Sequence, residues 1–183
     1  MVICVDMDNV LCNLQETVIK VFNSVYQTSY SINDFKHYDL AECLNRQEAI
    51  NMKSLYVKKG IYDCVNVLNG AKNAIQKLKK SGHEIYIVTD SAPSMFEEKV
   101  NWIKYNFDID SSNIISMKHK WLFKCDIMVE DNLDNLLGGH HYERIVFNYP
   151  WNQDVHDEVY GIHRVQNWSN ALDVINKLNK KME

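Results

Sequence analysis

Short apolar runs alternate with stretches of helical periodicity along most of this chain. Val2-Ile3-Cys4-Val5 is an apolar run that stops at acidic residues and reads as a buried strand. Asn13 follows as a helix start, because Asn13-x-x-Glu16 has the capping-box pattern and Leu14, Val18, Val21, Phe22 and Val25 recur at helical spacing. A polar, aromatic-rich stretch (SINDFKHYDL) separates this helix from a second, expected over roughly 41–58. Ala71, Ile75 and Leu78 mark another amphipathic helix, with Gly82 placed to end it. EIYIVT, residues 84–89, is a second strand, and Pro93 opens a helix that runs through Val100, Ile103 and Phe107. Three further short strands are expected at Ile114-Ile115, 126–129 and 144–147, then a last helix over roughly 169–178 that buries Leu172, Ile175 and Leu178.

Strands alternating with helices predict an α/β fold built on a Rossmann-like parallel sheet covered on both faces. One spacing interrupts the rhythm. Between Asp8 and Glu84 lie 75 residues, whereas a complete βαβ unit takes about 30. The surplus predicts a small helical cap inserted after strand 1, over residues 14–69, with the core domain formed by 1–13 and 70–183. Such an insertion leaves from the carboxyl edge of the sheet, the side on which open α/β folds bind ligands. It is expected to act as a lid.

Composition narrows the function. The chain has 183 residues, 24 acidic against 20 basic, for a net charge of −4. The three arginines, Arg46, Arg144 and Arg164, and the acidic balance argue against a nucleic-acid partner, which requires a basic stripe. No apolar run reaches the roughly 18 residues of a membrane span, and the first residues carry Asp6 and Asp8 rather than the basic start of a signal peptide. Five cysteines without a CxxC pair argue against a disulfide framework or a zinc knuckle, so a reducing cytoplasmic location is expected.

The candidate chemistry collects at strand ends. Asp6 and Asp8 follow strand 1 two residues apart and can address one point above the sheet. Thr89 ends the next strand, with Asp90 and Ser91 behind it. Lys118, Lys120 and Lys124 follow the third, and Glu130-Asp131-Asn132 closes the fourth. Carboxylates converging at one point repel and take up protons unless a cation intervenes. An oxygen-only donor set without His or Cys favours Mg²⁺.

In this order, DMDNVL, the Thr of IVTDS, Lys120 and the acid pair of MVEDN resemble the motifs of the haloacid-dehalogenase-like (HAD) phosphohydrolases. DMDNVLCN, VLNGAKNAIQKLKKSGHEIYIVT, KCDIMVEDN, FNYPWN and RVQNW resemble, more narrowly, the 5′(3′)-deoxyribonucleotidases of the cytosolic C type. Glu130 stands where that family often has Asp, and Asn69 where it often has Pro. The resemblance implies the HAD fold and a Mg²⁺-dependent phosphomonoesterase. Asp6 would be the nucleophile that forms an aspartyl-phosphate, and Asp8 the general acid and base. Thr89, the backbone of Asp90 and Ser91, and Lys120 would bind phosphate. Asp6, the Asp8 carbonyl and Asp131 would hold the metal, with Glu130 in close support. The implied partner is a small phosphate ester, a deoxynucleoside monophosphate above all, and a homodimer is left open. Phe35 and Tyr38, aromatic residues in a polar loop, are candidates to stack on a base.

Two other readings compete. Another small phosphate ester would use the same core under a different lid. A phospho-aspartate receiver domain also combines strand-end acids, Thr and Lys, but places its phosphorylated Asp after strand 3 and has no long insertion. Gly138-Gly139-His140-His141 reads as a flexible turn, His156 and His163 as surface residues, and Trp102, Trp121 and Trp168 as packing.

Overall fold

The computed structural model describes residues 1–182. β1 (Val2–Val5), β2 (Glu84–Thr89), β3 (Ile114–Ser116), β4 (Ile127–Glu130), β5 (Glu143–Phe147) and β6 (Ile162–Val165) form one sheet in the order β3-β2-β1-β4-β5-β6. Every pairing is parallel, with Val5 beside Ile87 on one flank and Val129 on the other. The central strands are apolar throughout because helices cover both of their faces. Ile3, Val5, Ile87, Ile127 and Val129 belong to the main core, and Cys4, Val88, Met128 and Val146 to a second cluster.

The long stretch between β1 and β2 contains α1 (Leu14–Tyr26), α2 (Arg46–Tyr56) and α3 (Ala71–Lys80), with 3₁₀ turns at Ile32–Asp34, Leu40–Glu42 and Ile61–Cys64. The chain leaves the sheet and returns to it through adjacent points. Asn13 N–H donates to the Asn66 carbonyl at 3.1 Å, and Leu68 N–H to the Leu11 carbonyl at 2.9 Å. The helix expected over 41–58 is shorter than its periodicity suggested. Asn45 caps it by accepting from Glu48 N–H at 3.0 Å and donating to the Glu48 carboxylate at 2.6 Å, so α2 begins at Arg46. At α1 the same sequence pattern has another outcome. The Asn13 side-chain oxygen accepts from Asn66 N–H at 2.8 Å instead of capping its own helix.

After β2 come α4 (Pro93–Asn106), α5 (Leu133–Leu137), α6 (Asp157–Tyr160) and α7 (Trp168–Met182). The sequence reading lacked β6. Its Ile162 and Val165 are buried, but the half-buried His163 and Arg164 between them interrupt any apolar run. It is an edge strand, paired only with β5. Phe107 lies just past the end of α4, in an extended conformation.

Gly138-Gly139 lies in the turn between α5 and β5, as expected, and is closely packed there. A Cβ on Gly138 would stand 2.5 Å from the Trp121 ring, and one on Gly139 would stand 2.8 Å from Tyr142. These glycines are needed for close packing. The five cysteines are free thiols. Among the described residues no helix is long and apolar enough to cross a membrane.

Candidate active site

The loop after β1 is built around one carbonyl. Met7 O accepts from the N–H groups of Leu11 at 2.8 Å and Cys12 at 3.2 Å, which coils residues 7–12 tightly above the strand. The coil requires a left-handed backbone at Asn9, φ +59°, a conformation that Asn tolerates better than most residues. Asn9 then fixes the loop on both sides. Its Nδ2 donates to Asp131 Oδ2 at 3.0 Å, and its Oδ1 accepts from Gln15 N–H at 2.9 Å. From the far end of the chain, Trp168 Nε1 donates to Val10 O at 2.8 Å. Trp168 therefore packs, as expected, and also clamps this loop.

Asp6 N–H continues the ladder by donating to Val129 O at 2.9 Å, which sets Asp6 beside the end of β4. There the carboxylates of Asp6, Glu130 and Asp131 offer oxygens within 4.8 Å of one another. All three residues are buried, as is Lys120. Lys120 Nζ lies 2.6 Å from Asp6 Oδ1 and 2.6 Å from Glu130 Oε1. Burial alone would depress the Lys120 ammonium pKa, but the two carboxylates outweigh it and raise it well above the ordinary value. Asp6 moves up as well, to about 7, through burial first and the repulsion of Glu130 second, against the pull of Lys120. Burial first, then the repulsion of Asp6 and Glu130, also pushes Asp131 upward. One ammonium does not balance three buried carboxylates, so the cluster is short of positive charge.

The Glu130 oxygens are occupied. Oε1 also accepts from Asn135 Nδ2 at 3.0 Å, while Oε2 accepts the N–H groups of Asp131 at 3.1 Å and Asn132 at 3.2 Å. Asp6 Oδ1, besides Lys120, accepts Met7 N–H at 2.7 Å. Asp6 and Asp131 are thus the less encumbered donors, and the oxygen-only set could hold a hard cation.

Asp8 faces the other side of the same space. Its Oδ2 lies 2.6 Å from Lys99 Nζ, and its Oδ1 accepts from the Tyr62 hydroxyl at 3.1 Å. Lys99 also donates to Thr89 Oγ1 and to Asp90 O, each at 2.7 Å. Thr89 is fully buried, Ser91 is half-buried, and Asp90 is exposed at the loop leading into α4. Lys99 was absent from the sequence reading, since a lysine on a helix ordinarily reads as solvated. Its position carried a signal: it shares one face of α4 with the buried Met95, Trp102 and Ile103.

The structure brings Asp6, Asp8, Asp90, Lys120 and Asp131 around one cleft of about 290 Å³. Of the competing lysines, Lys118 lies at its rim and Lys120 pairs with Asp6. A second cavity of about 220 Å³ adjoins it beneath the inserted stretch and shares Asp8, Asn9 and Tyr38 with the cleft. Tyr38 is exposed between the two spaces; Phe35 lines the second and is otherwise buried at 1% exposure. Tyr62 is buried and Tyr56 half-buried. Their hydroxyls nonetheless serve the site, Tyr62 on Asp8 and Tyr56 on the side-chain oxygen of Gln15.

The six-stranded parallel sheet, with an acid cluster at the carboxyl ends of β1 and β4, has the fold of HAD-like hydrolases. The fold is shared with a HAD-family hydrolase from Deinococcus radiodurans R1 crystallised with phosphate and sodium, at TM-score 0.66 and 13% identity, covering 97% of this chain and 96% of that one. A haloacid dehalogenase-like protein from Agrobacterium tumefaciens superposes at TM-score 0.65 and 14% identity, over 97% and 98% of the two chains. The family model for 5′ nucleotidase, deoxy (pyrimidine), cytosolic type C protein matches residues 1–182, and the chain belongs to that family. Among relatives, a 5′(3′)-deoxyribonucleotidase of Bacillus subtilis is 27% identical over 172 residues, 91% of this chain and 94% of its own length. One from Clostridium acetobutylicum is 29% identical over 133 residues, 72% and 73% of the two.

Proposed function

We propose that this protein is a Mg²⁺-dependent phosphatase of deoxyribonucleoside monophosphates that works through an aspartyl-phosphate on Asp6. The observation that carries this reading is the Asp6 carboxylate at the end of β1, held 2.6 Å from Lys120 and beside Asp131. Asp8 stands two residues further on, at the entrance to the adjoining cavity. The deoxyribonucleotidase names of the Bacillus and Clostridium relatives support the substrate class.

Asp6, Asp131 and the Asp8 carbonyl would hold the cation, while Glu130 fixes Lys120. The bound cation would supply the positive charge that the buried carboxylates lack and draw the phosphate into line. Asp6 attacks phosphorus, and the ester oxygen leaves as Asp8 delivers its proton; Asp8 then takes a proton from the water that releases phosphate. Lys120 and the Thr89–Ser91 loop bind the phosphate oxygens. The stretch over 14–69 acts as the cap, with Tyr38 at the junction of cleft and cavity as the candidate to stack on a base.

The test is phosphate release with Mg²⁺ from a panel of deoxynucleoside monophosphates and simple sugar phosphates. The wild type should be active and Asp6→Asn silent. Turnover surviving in Asp6→Asn removes the nucleophile assignment, and equal rates on sugar phosphates remove the nucleotide while leaving the phosphatase.

A further inference from the structure

Asp131 is held by a residue that the proposed catalytic steps do not use. Asn9 Nδ2 donates to Asp131 Oδ2 at 3.0 Å, and among the described residues Asp131 Oδ1 accepts no hydrogen bond. Asn9 is 9% exposed and borders the catalytic cleft. Its backbone is left-handed, φ +59°, a conformation in which glycine is the usual residue and a side chain carries a cost. Closing the loop alone would favour glycine, yet a side chain stands there with both ends of its amide engaged.

The amide cannot turn over. Its Oδ1 accepts from Gln15 N–H, in the first turn of α1, at 2.9 Å, so the NH₂ end must face Asp131. The loop beneath is fixed as well, by the N–H groups gathered on Met7 O and by the Trp168 indole on the carbonyl of Val10, the next residue. Of the other carboxylate oxygens in the cluster, Asp6 Oδ1 holds Lys120 and Met7 N–H, and both Glu130 oxygens are taken. The two less encumbered carboxylates therefore present one oxygen each, Oδ2 of Asp6 and Oδ1 of Asp131.

Ligand number bears on which cation fits. Ca²⁺ gathers about six to eight oxygens in a flexible shell and takes a carboxylate by one oxygen or by both, whereas Mg²⁺ is smaller, demands a near-ideal octahedron and keeps several waters. To engage an ion through both oxygens Asp131 would have to turn, and turning would break its bond to Asn9. We propose that Asn9 is a positioning residue that sets the choice of cation: it limits Asp131 to one oxygen and so favours Mg²⁺ over Ca²⁺. This rests on the Mg²⁺ reading given above. Selectivity between the two ions follows ligand number and rigidity, and Asn9 governs both at Asp131.

The test compares apparent affinities for Mg²⁺ and Ca²⁺, taken from the rise in unfolding temperature with metal concentration, in the wild type, Asn9→Gly and Asn9→Asp. Each protein is referred to its own metal-free form, so a change in loop stability alone does not enter the comparison. Asn9→Gly accepts the left-handed backbone and removes the donor; Asn9→Asp keeps an acceptor for Gln15 N–H and exchanges the donor for a second carboxylate oxygen. The wild type should bind Mg²⁺ more tightly than Ca²⁺. In both variants the Mg²⁺/Ca²⁺ affinity ratio should fall by about tenfold or more, the usual scale for losing a partner of a metal ligand. If one variant does not fold, the other and the wild-type preference still decide. A wild type that prefers Ca²⁺, or an unchanged ratio in a folded variant, equal loss of both ions included, overturns the proposal; a wild type still stabilised by Mg²⁺ keeps the functional reading. A wild type that neither ion stabilises overturns the Mg²⁺ reading and this inference with it.

Discussion

Lys99 reaches Asp8 across the cleft, Nζ to Oδ2 at 2.6 Å, while the same ammonium contacts the Thr89 hydroxyl at 2.7 Å. The ion pair is largely withdrawn from water, with side-chain exposures of 5% for Lys99 and 21% for Asp8. One cation from α4 thus orients both the expected acid–base group and the expected phosphate ligand at the end of β2.

Replacing Lys99 by Met should therefore act on turnover. A positioned acid or base contributes about 10²–10⁴-fold, and loss of orientation should forfeit about 10- to 100-fold in kcat with a smaller change in KM. Steady-state kinetics on dUMP measure this, and a rise in KM alone would assign Lys99 to substrate binding instead.

Asp6 should make the metal-free protein pH-sensitive. Its pKa is raised from 3.8 to about 7 in the folded chain. Below 3.8 both folded and unfolded forms hold the proton; between 3.8 and about 7 only the folded form keeps it. Stability from this group is thus present at low pH and falls as pH rises through that window. Thermal unfolding of Asp6→Asn against wild type, without metal and in the same buffers, should show the wild type losing ground as pH climbs from about 4 to about 7. A constant difference would contradict it.

Metal addition should show the complementary trend. A cation competes with the proton on Asp6, so Mg²⁺ should raise the unfolding temperature most at and above about pH 7 and progressively less below. In Asp6→Asn the increment should largely vanish. Calorimetry with and without chelator checks both outcomes.

Gly138→Ala should destabilise the fold by about 1–3 kcal/mol, the usual cost of overpacking, because the new methyl would stand 2.5 Å from the Trp121 ring. Trp121 itself borders the catalytic cleft, so a drop in activity should accompany the loss of stability measured by urea unfolding. The companion substitution Trp121→Leu should relieve much of the stability cost.

Central strands and motif order were legible in the sequence because they depend on local chemistry. Asp6, Thr89 and Asp131 each sit where an apolar run meets a polar residue, a signal carried within a few positions of the chain. Lys99, Gln15 and Asn152 were not legible in this way. Asn152 Nδ2 bonds the carbonyls of Asp131, at 2.8 Å, and Phe147, at 2.7 Å, partners that only the sheet brings together. The two Asn-x-x-Glu patterns show the same limit from another side. Asn45 caps its own helix, while Asn13 serves the returning chain 53 residues away, and nothing near Asn13 announces that partner. β6 escaped notice because an edge strand need not be apolar in the way that a central one must be.

The bond from the Trp168 indole to the Val10 carbonyl spans 158 residues of chain. Val10 is therefore synthesised 158 residues before its partner Trp168. On a ribosome making this chain, the loop carrying Asp6 and Asp8 therefore emerges long before its clamp exists, and it is locked in place only once Trp168 has followed it out.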